Sequence, residues 1–453
     1  MPSRPFSFPY LSRILPLILV FLFAVSIRLT FQAVYGPALG NDSNGYLAVA
    51  TMLHERDFAG YTAWRTPGYP YFLNIFHSSP SSVVTAQICL SLFGVFLLSI
   101  ALFNLVRHLG ITVFFATLLS VSVNLLAIDG WILTESLATT LFSVITAWIA
   151  LDASFHTQRF ASLSAAGLGL LVGVLVLTRP QYIAVIPVLA FAFLFSRPLS
   201  QRLLRLAVFL PFASAPVLAL ITFNATHVGK PILSSTLPFN LSQHTLPFIE
   251  SAEPDDPRHL VPEIVRLRDQ YWPLAQSLDD NRAFIPRPPM EPASDDADYL
   301  LHLSLSAIRH RPGAYCISVF NAWLRFWRVS FLYDSDCLHV PGLDRWIRLL
   351  WTPLKLIWLA IEFFFLATLL ALPFKWVKQR SIGPVEMVSL LILSVSVLQA
   401  LVEYGDNSRY AIPMLPAMSF VVFHSLGHSY PCAEANNVLS TLSNRNSANS
   451  RQN

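Results

Sequence analysis

Two acids and three arginines at the ends of long apolar runs are the residues best suited to chemistry in this chain. The acids are Asp42 and Glu135, and the arginines are Arg65, Arg179 and Arg409. A positioned carboxylate can take a proton from a hydroxyl as general base. A guanidinium offers a planar fork of donors that matches a phosphate. Asp129, Glu403 and Asp406 sit at similar run ends, and Tyr46 and Tyr410 lie close to Asp42 and Arg409 in the chain. Each charged residue also has a structural reading. Asp42 with Ser43 can cap a helix beginning near Asn44, Glu135 can be the partner of an arginine, and Arg409 can pair locally with Asp406 at i,i+3 spacing. Asp129 is the weakest candidate, a carboxylate at a loop end by default. The histidines have no ligand spacing.

The elements that would position these residues are membrane spans. Of 453 residues, 54% are hydrophobic and only 12% charged, and the mean hydropathy is +0.54. Soluble domains carry about twice that charged fraction. Continuous apolar runs, instead of short alternating segments, exclude a transmembrane barrel and predict an all-α polytopic membrane protein. About ten spans are expected, at 14–31, 82–106, 111–128, 132–151, 161–177, 182–195, 203–223, 347–374, 384–401 and 411–426. The first resembles a signal peptide but continues to Thr30 and reads as an uncleaved anchor. Arg107, Arg159, the arginines of 197–205, and Lys375, Lys378 and Arg380 all fall in alternate loops. Basic residues are retained in cytoplasmic loops, so the N-terminus is expected inside, and the candidate residues outside at one common depth.

The long loop 224–346 then faces outward, and it holds 15 of the 26 acidic residues. Its Pro- and Asp-rich middle, 250–298, reads as a solvated, partly irregular cap, or as a cover or acceptor contact for the site. From Tyr299 to Val329 the pattern becomes helical, with Trp323, Phe326 and Trp327 among arginines, the composition of a helix at the membrane interface. Cys316 and Cys337 share this loop and are candidates for a disulfide if it is extracytoplasmic. Residues 1–430 read as one transmembrane domain, and the Asn/Ser-rich tail 431–453 as a disordered cytoplasmic segment.

Acids and arginines together suit a phosphate-bearing lipid that enters from the bilayer. Its anionic head would be held by Arg179 or Arg409, while Asp42 takes a proton from an attacking hydroxyl. A divalent cation held by carboxylates is an alternative source of charge stabilisation. The rival is a transporter or flippase for a lipid-linked or anionic solute. Charges at one face and the lack of a visible repeat favour the enzyme.

Four motifs carry a resemblance. They are Asp42-Ser43-Asn44-Gly45-Tyr46 with Arg65-Thr66-Pro67-Gly68-Tyr69-Pro70, then Leu133-Thr134-Glu135-Ser136-Leu137, Leu177-Thr178-Arg179-Pro180, and Asn407-Ser408-Arg409-Tyr410-Ala411-Ile412-Pro413 with Pro416. In this order and placement the chain resembles GT-C fold glycosyltransferases, most of all the protein O-mannosyltransferase, aminoarabinose transferase and RgtA/B/C/D-like group. Residues 308–315 are similar to the helix that precedes the later spans of that group. The resemblance covers about residues 10–430. It implies a GT-C-like bundle with juxtamembrane helices on its outer face, in the bacterial inner (plasma) membrane. It further implies transfer of a sugar from a polyprenyl-phosphate donor to a glycan, lipid or protein acceptor on the outer side. No nucleic-acid partner is expected. Carried over by position, Asp42 is the catalytic carboxylate and Glu135 a second acid, with Arg179 and Arg409, and in addition Arg65, as donor-phosphate ligands. Tyr46, Asp129 and Tyr410 are supporting residues. Many relatives have two adjacent acids where this chain has Asp42-Ser43, which leaves metal use open.

Overall fold

The structure, a computed structural model, describes residues 9–40, 42–154, 161–195, 199–277, 293–379, 382–405 and 407–429. Its elements are helices, with no strand among the described residues beyond one isolated bridge. Among the described residues seven helices are long and apolar enough to cross a membrane, or eight if one bent pair is a single span. The chain is therefore an all-α polytopic membrane protein. The long helices are α1 (Pro9–Tyr35), α4 (Pro80–Val106), α7 (Thr134–Ser154), α10 (Leu199–His227), α15 (Leu343–Gln379), α16 (Pro384–Val402) and α18 (Leu415–Ser429), which α17 (Asn407–Ala411) precedes within one span. The bent pair is α5 (Leu109–Val121) and α6 (Val123–Gly130), which meet at 49°. Ser122 between them is extended, so the helical hydrogen bonds lapse there.

Two of the ten expected spans differ. The runs at 161–177 and 182–195 form α8 (Ala161–Thr178) and α9 (Val185–Phe195). α8 has 18 residues and α9 11, about 27 Å and 17 Å against a hydrocarbon core of about 30 Å. The break between them is local. Arg179 is extended (φ −147°, ψ 116°) and Pro180, which has no N–H to continue the ladder, opens a short 3-10 turn, Pro180–Ala184.

The long loop is more helical than its composition suggests. It contains α11 (Leu237–Thr245), α12 (Leu260–Ser277), α13 (Asp295–His310) and α14 (Pro312–Phe326). Ser294 accepts a hydrogen bond from the Ala297 amide and so caps α13. Asp295, Asp296 and Asp298 in its first turn and Arg309 and His310 in its last complement the helix dipole. Leu300, Leu303 and Ala307 line its buried face and pack with Phe239, Ile249 and Ile264 into a small core separate from that of the spans. Cys316 and Cys337, the candidates for a disulfide, are free thiols. Asp406, Cys432 and the tail 431–453 lie outside the described residues.

Candidate active site

Four separate segments bring the charged residues together, and backbone contacts hold those segments. Between α1 and α2 (Ser43–Glu55) the chain pairs with the α6–α7 connection. The Ala38 amide donates to the Gly130 carbonyl and the Ile132 amide to the Ala38 carbonyl, both at 2.9 Å. The Ser43 hydroxyl, fully buried, donates to the Ile132 carbonyl at 2.9 Å. Asp42 thereby lands beside Glu135, near the start of α7. Arg65 is fixed to the Arg179 turn by a close backbone approach at the start of α3 (Gly68–Ile75). A Cβ on Gly68 would lie 2.5 Å from the Leu177 carbonyl carbon, so only glycine fits there. Thr66 adds a bond from its hydroxyl to the Thr178 carbonyl at 3.4 Å. Arg409 arrives on α17, whose Asn407 is buried and donates to the carbonyls of Glu403 and Ala322.

The result is one alternating chain of charge: Arg65, Asp42, Arg409, Glu135, Arg179. Arg65 NH2 meets Asp42 Oδ1 at 2.5 Å, and Arg409 NH1 meets Asp42 Oδ2 at 3.4 Å. Arg409 Nε donates to Glu135 Oε1, which also receives Arg179 NH2 at 3.0 Å. Three guanidiniums and two carboxylates leave the group with one net positive charge. Two tyrosines cover its ends. The Arg65 guanidinium lies 4.8 Å from the Tyr46 ring centre and that of Arg179 4.7 Å from Tyr410, contacts worth about 0.5–2 kcal/mol each. The Tyr410 hydroxyl in turn donates to Glu403 at 3.2 Å.

Exposure is graded along the chain of charge. The Glu135 side chain is 1% exposed, Arg179 7%, Arg409 20%, Arg65 18% and Asp42 36%. Glu135 is therefore the buried anchor, and Asp42 the acid that an external molecule can reach. Burial pushes the Asp42 pKa up, but Arg65 and then Arg409 outweigh it and hold the carboxyl below its ordinary value. Arg65 Nε and Arg179 NH1 are buried donors with no protein partner among the described residues. The fully buried Tyr182 hydroxyl is a third. Three such donors in and beside a positive group suit an anion with several acceptor oxygens. A divalent cation fits these residues poorly. Both carboxylates are engaged by guanidiniums, and no group of three His, Cys, Asp or Glu side chains gathers among the described residues.

Five of the residues singled out from the sequence, Asp42, Glu135, Arg65, Arg179 and Arg409, are thus in direct contact, with Tyr46 and Tyr410 stacked on two of them. Asp42 does occupy the cap position of α2, but its side chain makes no capping bond and turns to the arginines instead. Arg409 pairs with Glu135 and Asp42. Asp129 is not part of this group. It lies in a second buried pair with Arg28 at 3.1 Å, and Ser136 donates to its other oxygen at 2.8 Å. Arg28 lies inside the first span, where sequence reading passed over it. Tyr182, three residues beyond Arg179, was also missed; its place just after a Pro-broken turn was the available signal. No family model matches the chain, and neither a characterised protein nor a solved structure matches it.

Proposed function

We propose that the chain is an integral-membrane glycosyltransferase of GT-C type that moves a sugar from a polyprenyl-phosphate donor to an acceptor hydroxyl, with the site on the extracytoplasmic face. The observation that carries this reading is the chain of charge from Arg65 to Arg179, with its accessible carboxylate and its unpartnered buried donors. In this mechanism the acceptor oxygen attacks the anomeric carbon as the bond to the phosphate oxygen breaks. The hydroxyl proton passes to Asp42, and the electron pair leaves with the lipid phosphate, whose charge Arg65, Arg179 and Arg409 offset. Both oxygens of Asp42 are held by Arg65 and Arg409, which lowers its affinity for a proton. A phosphate that draws those guanidiniums to itself would restore that affinity, and the base would strengthen only when donor is bound.

A transporter or flippase for a lipid-linked or anionic solute is the second reading. It is favoured by the span broken at 49° between α5 and α6, since interrupted helices line many transport sites. One experiment separates the two. Glycolipids and glycoproteins from cells carrying the wild type and Asp42→Asn are compared by mass spectrometry. The expected result is loss of a single hexose or pentose, with transfer reduced about a hundredfold or more and membrane insertion unchanged. Unaltered glycans with Asp42→Asn would remove the base from the mechanism. A change confined to solute uptake would establish the transporter.

A further inference from the structure

The helix α14 ends deeper in the bundle than it begins. Near its start, the Tyr315 hydroxyl donates to the Leu401 carbonyl at 2.7 Å, at the last turn of the α16 span. Two turns on, Trp323 Nε1 donates to the Ser396 hydroxyl at 3.1 Å. Ser396 lies about 9 Å inside the end of that span at 1.5 Å per residue. At the end of α14 the Trp327 ring sits 5.8 Å from Phe365, near the middle of α15. The chain then climbs back. Asn124 accepts from the Leu332 amide at 3.1 Å and donates to the Ser330 carbonyl at 2.8 Å. The Asp334 amide reaches the Tyr35 hydroxyl at 3.2 Å, at the end of the α1 span. Segment 312–334 therefore enters and leaves the bundle at the same end.

What α14 exposes agrees with that path. Ile317 is 65% exposed, Phe320 57% and Leu324 48%, at spacings of three and four that make one stripe. Cys316 and Asn321 flank it. The only charged residue in α14 is Arg325, and its guanidinium stacks on Tyr404 at 4.5 Å. The preceding helix of the same unit shows the opposite surface. α13 exposes Asp295, Asp296, Asp298, His302, Arg309 and His310, with Leu305 as its apolar exception. One helix is dressed for water and its neighbour for hydrocarbon.

We propose that α14 is a re-entrant helix immersed in the leaflet at the site end of the bundle, with Ile317, Phe320 and Leu324 against lipid chains. Irregular backbone such as 327–334 is tolerated at membrane depth when protein covers it, and here α1, α6 and α15 do so. The proposal concerns where α14 lies and stands whether or not the protein transfers a sugar.

The test uses the full chain in sealed lipid vesicles, with its four native cysteines replaced by serine and a single cysteine placed at Ile317→Cys, Phe320→Cys, Leu324→Cys or, as a water-exposed control on α2, Glu55→Cys. A charged maleimide applied to both faces is expected to label the three stripe positions about tenfold or more slowly than the control, because hydrocarbon disfavours the reactive thiolate. Unfolding the chain in dodecyl sulfate should abolish the difference. Nitroxides at the same positions should be relaxed by oxygen in preference to a water-soluble nickel chelate, most strongly at position 324. Labelling of Phe320→Cys at the control rate would overturn the proposal in favour of a water-facing helix. Protection from both oxygen and nickel would overturn it in favour of a protein partner or a second copy on the stripe.

Discussion

Each oxygen of Asp42 is engaged by a different guanidinium, so the charge state of this acid is set before any substrate arrives. Burial raises its pKa, but Arg65 and Arg409 together bring it below the ordinary 3.8. The proton-accepting form therefore prevails at neutral pH and disappears as the pH falls through a folded value below the ordinary one. The stability contributed by these pairs follows the same course, since a depressed acid favours the folded state above its unfolded pKa and loses that advantage below it. Transfer at low donor concentration, which reports the free protein, should place any acidic limb from Asp42 below the ordinary carboxylate range. Arg65→Gln removes the largest force lowering that pKa, so the limb should move to higher pH and the rate at neutral pH should fall. Rates measured from pH 3 to 8 on both proteins check this, and a limb unmoved by Arg65→Gln would mean that Asp42 is not the group titrating. At this scale the sequence was informative because charge at a span end has few uses. It offered Glu135 as the partner of an arginine without saying which, and here two arginines share it. Arg65, read from the sequence as a phosphate ligand, holds the candidate base. Ser43, the next residue in the chain, is buried with its hydroxyl on the Ile132 carbonyl. A carboxylate there would face an acceptor without a proton to offer.

The elements that aim these residues are joined by features with little sequence signal. Apolar runs announce spans, and the helices at 82–106, 132–151, 347–374 and 384–401 fall where hydropathy places them. The run at 111–128 is bent at Ser122, and those at 161–177 and 182–195 form shorter helices parted at Arg179-Pro180, because hydropathy measures burial and not helix direction. The parallel bridge between Ala38 and Trp131 depends on the backbone, which no residue type advertises. Gly68 is a clearer case. Its absent side chain lets α3 meet the end of α8, so that Arg65 and Arg179 serve one site. Gly68→Ala puts a methyl 2.5–2.6 Å from three backbone atoms of Leu177 and Thr178, and backbone cannot step aside as a flexible side chain can. The variant should insert and fold with a loss of about 1–3 kcal/mol, the usual penalty for overpacking. Transfer should drop about tenfold or more, the loss expected from small displacements of positioning groups. Thermal unfolding in detergent and transfer per folded molecule separate the two effects. Full transfer by Gly68→Ala would mean that the α3–α8 contact does not position the arginines.

Across the whole molecule, two groups of charge pairs in the apolar interior differ in kind. Those of the candidate site run from the buried Glu135 to the accessible Asp42. The pair of Arg28 and Asp129 is out of reach of the surface throughout, with side chains 1% and 3% exposed, and joins the first span to the end of α6. Its neighbours are stitches as well, because Gln87 donates to the Asp129 and Trp131 carbonyls and accepts from the Tyr69 hydroxyl. This pair is read as a structural clasp that holds the α6–α7 connection, and with it Glu135, at its depth. Removing one partner of such a pair leaves an uncompensated buried charge at a cost of about 3–5 kcal/mol, whereas an apolar replacement of both is often tolerated. Arg28→Leu alone should lower thermal stability in detergent by an amount of that order and reduce the membrane-inserted yield. Arg28→Leu combined with Asp129→Leu should recover most of both, with transfer per folded molecule close to wild type. A double variant that is stable yet inactive would instead place Asp129 among the residues of the reaction, and one as unstable as the single variant would show that Ser136 and Ser91 depend on the charges they contact.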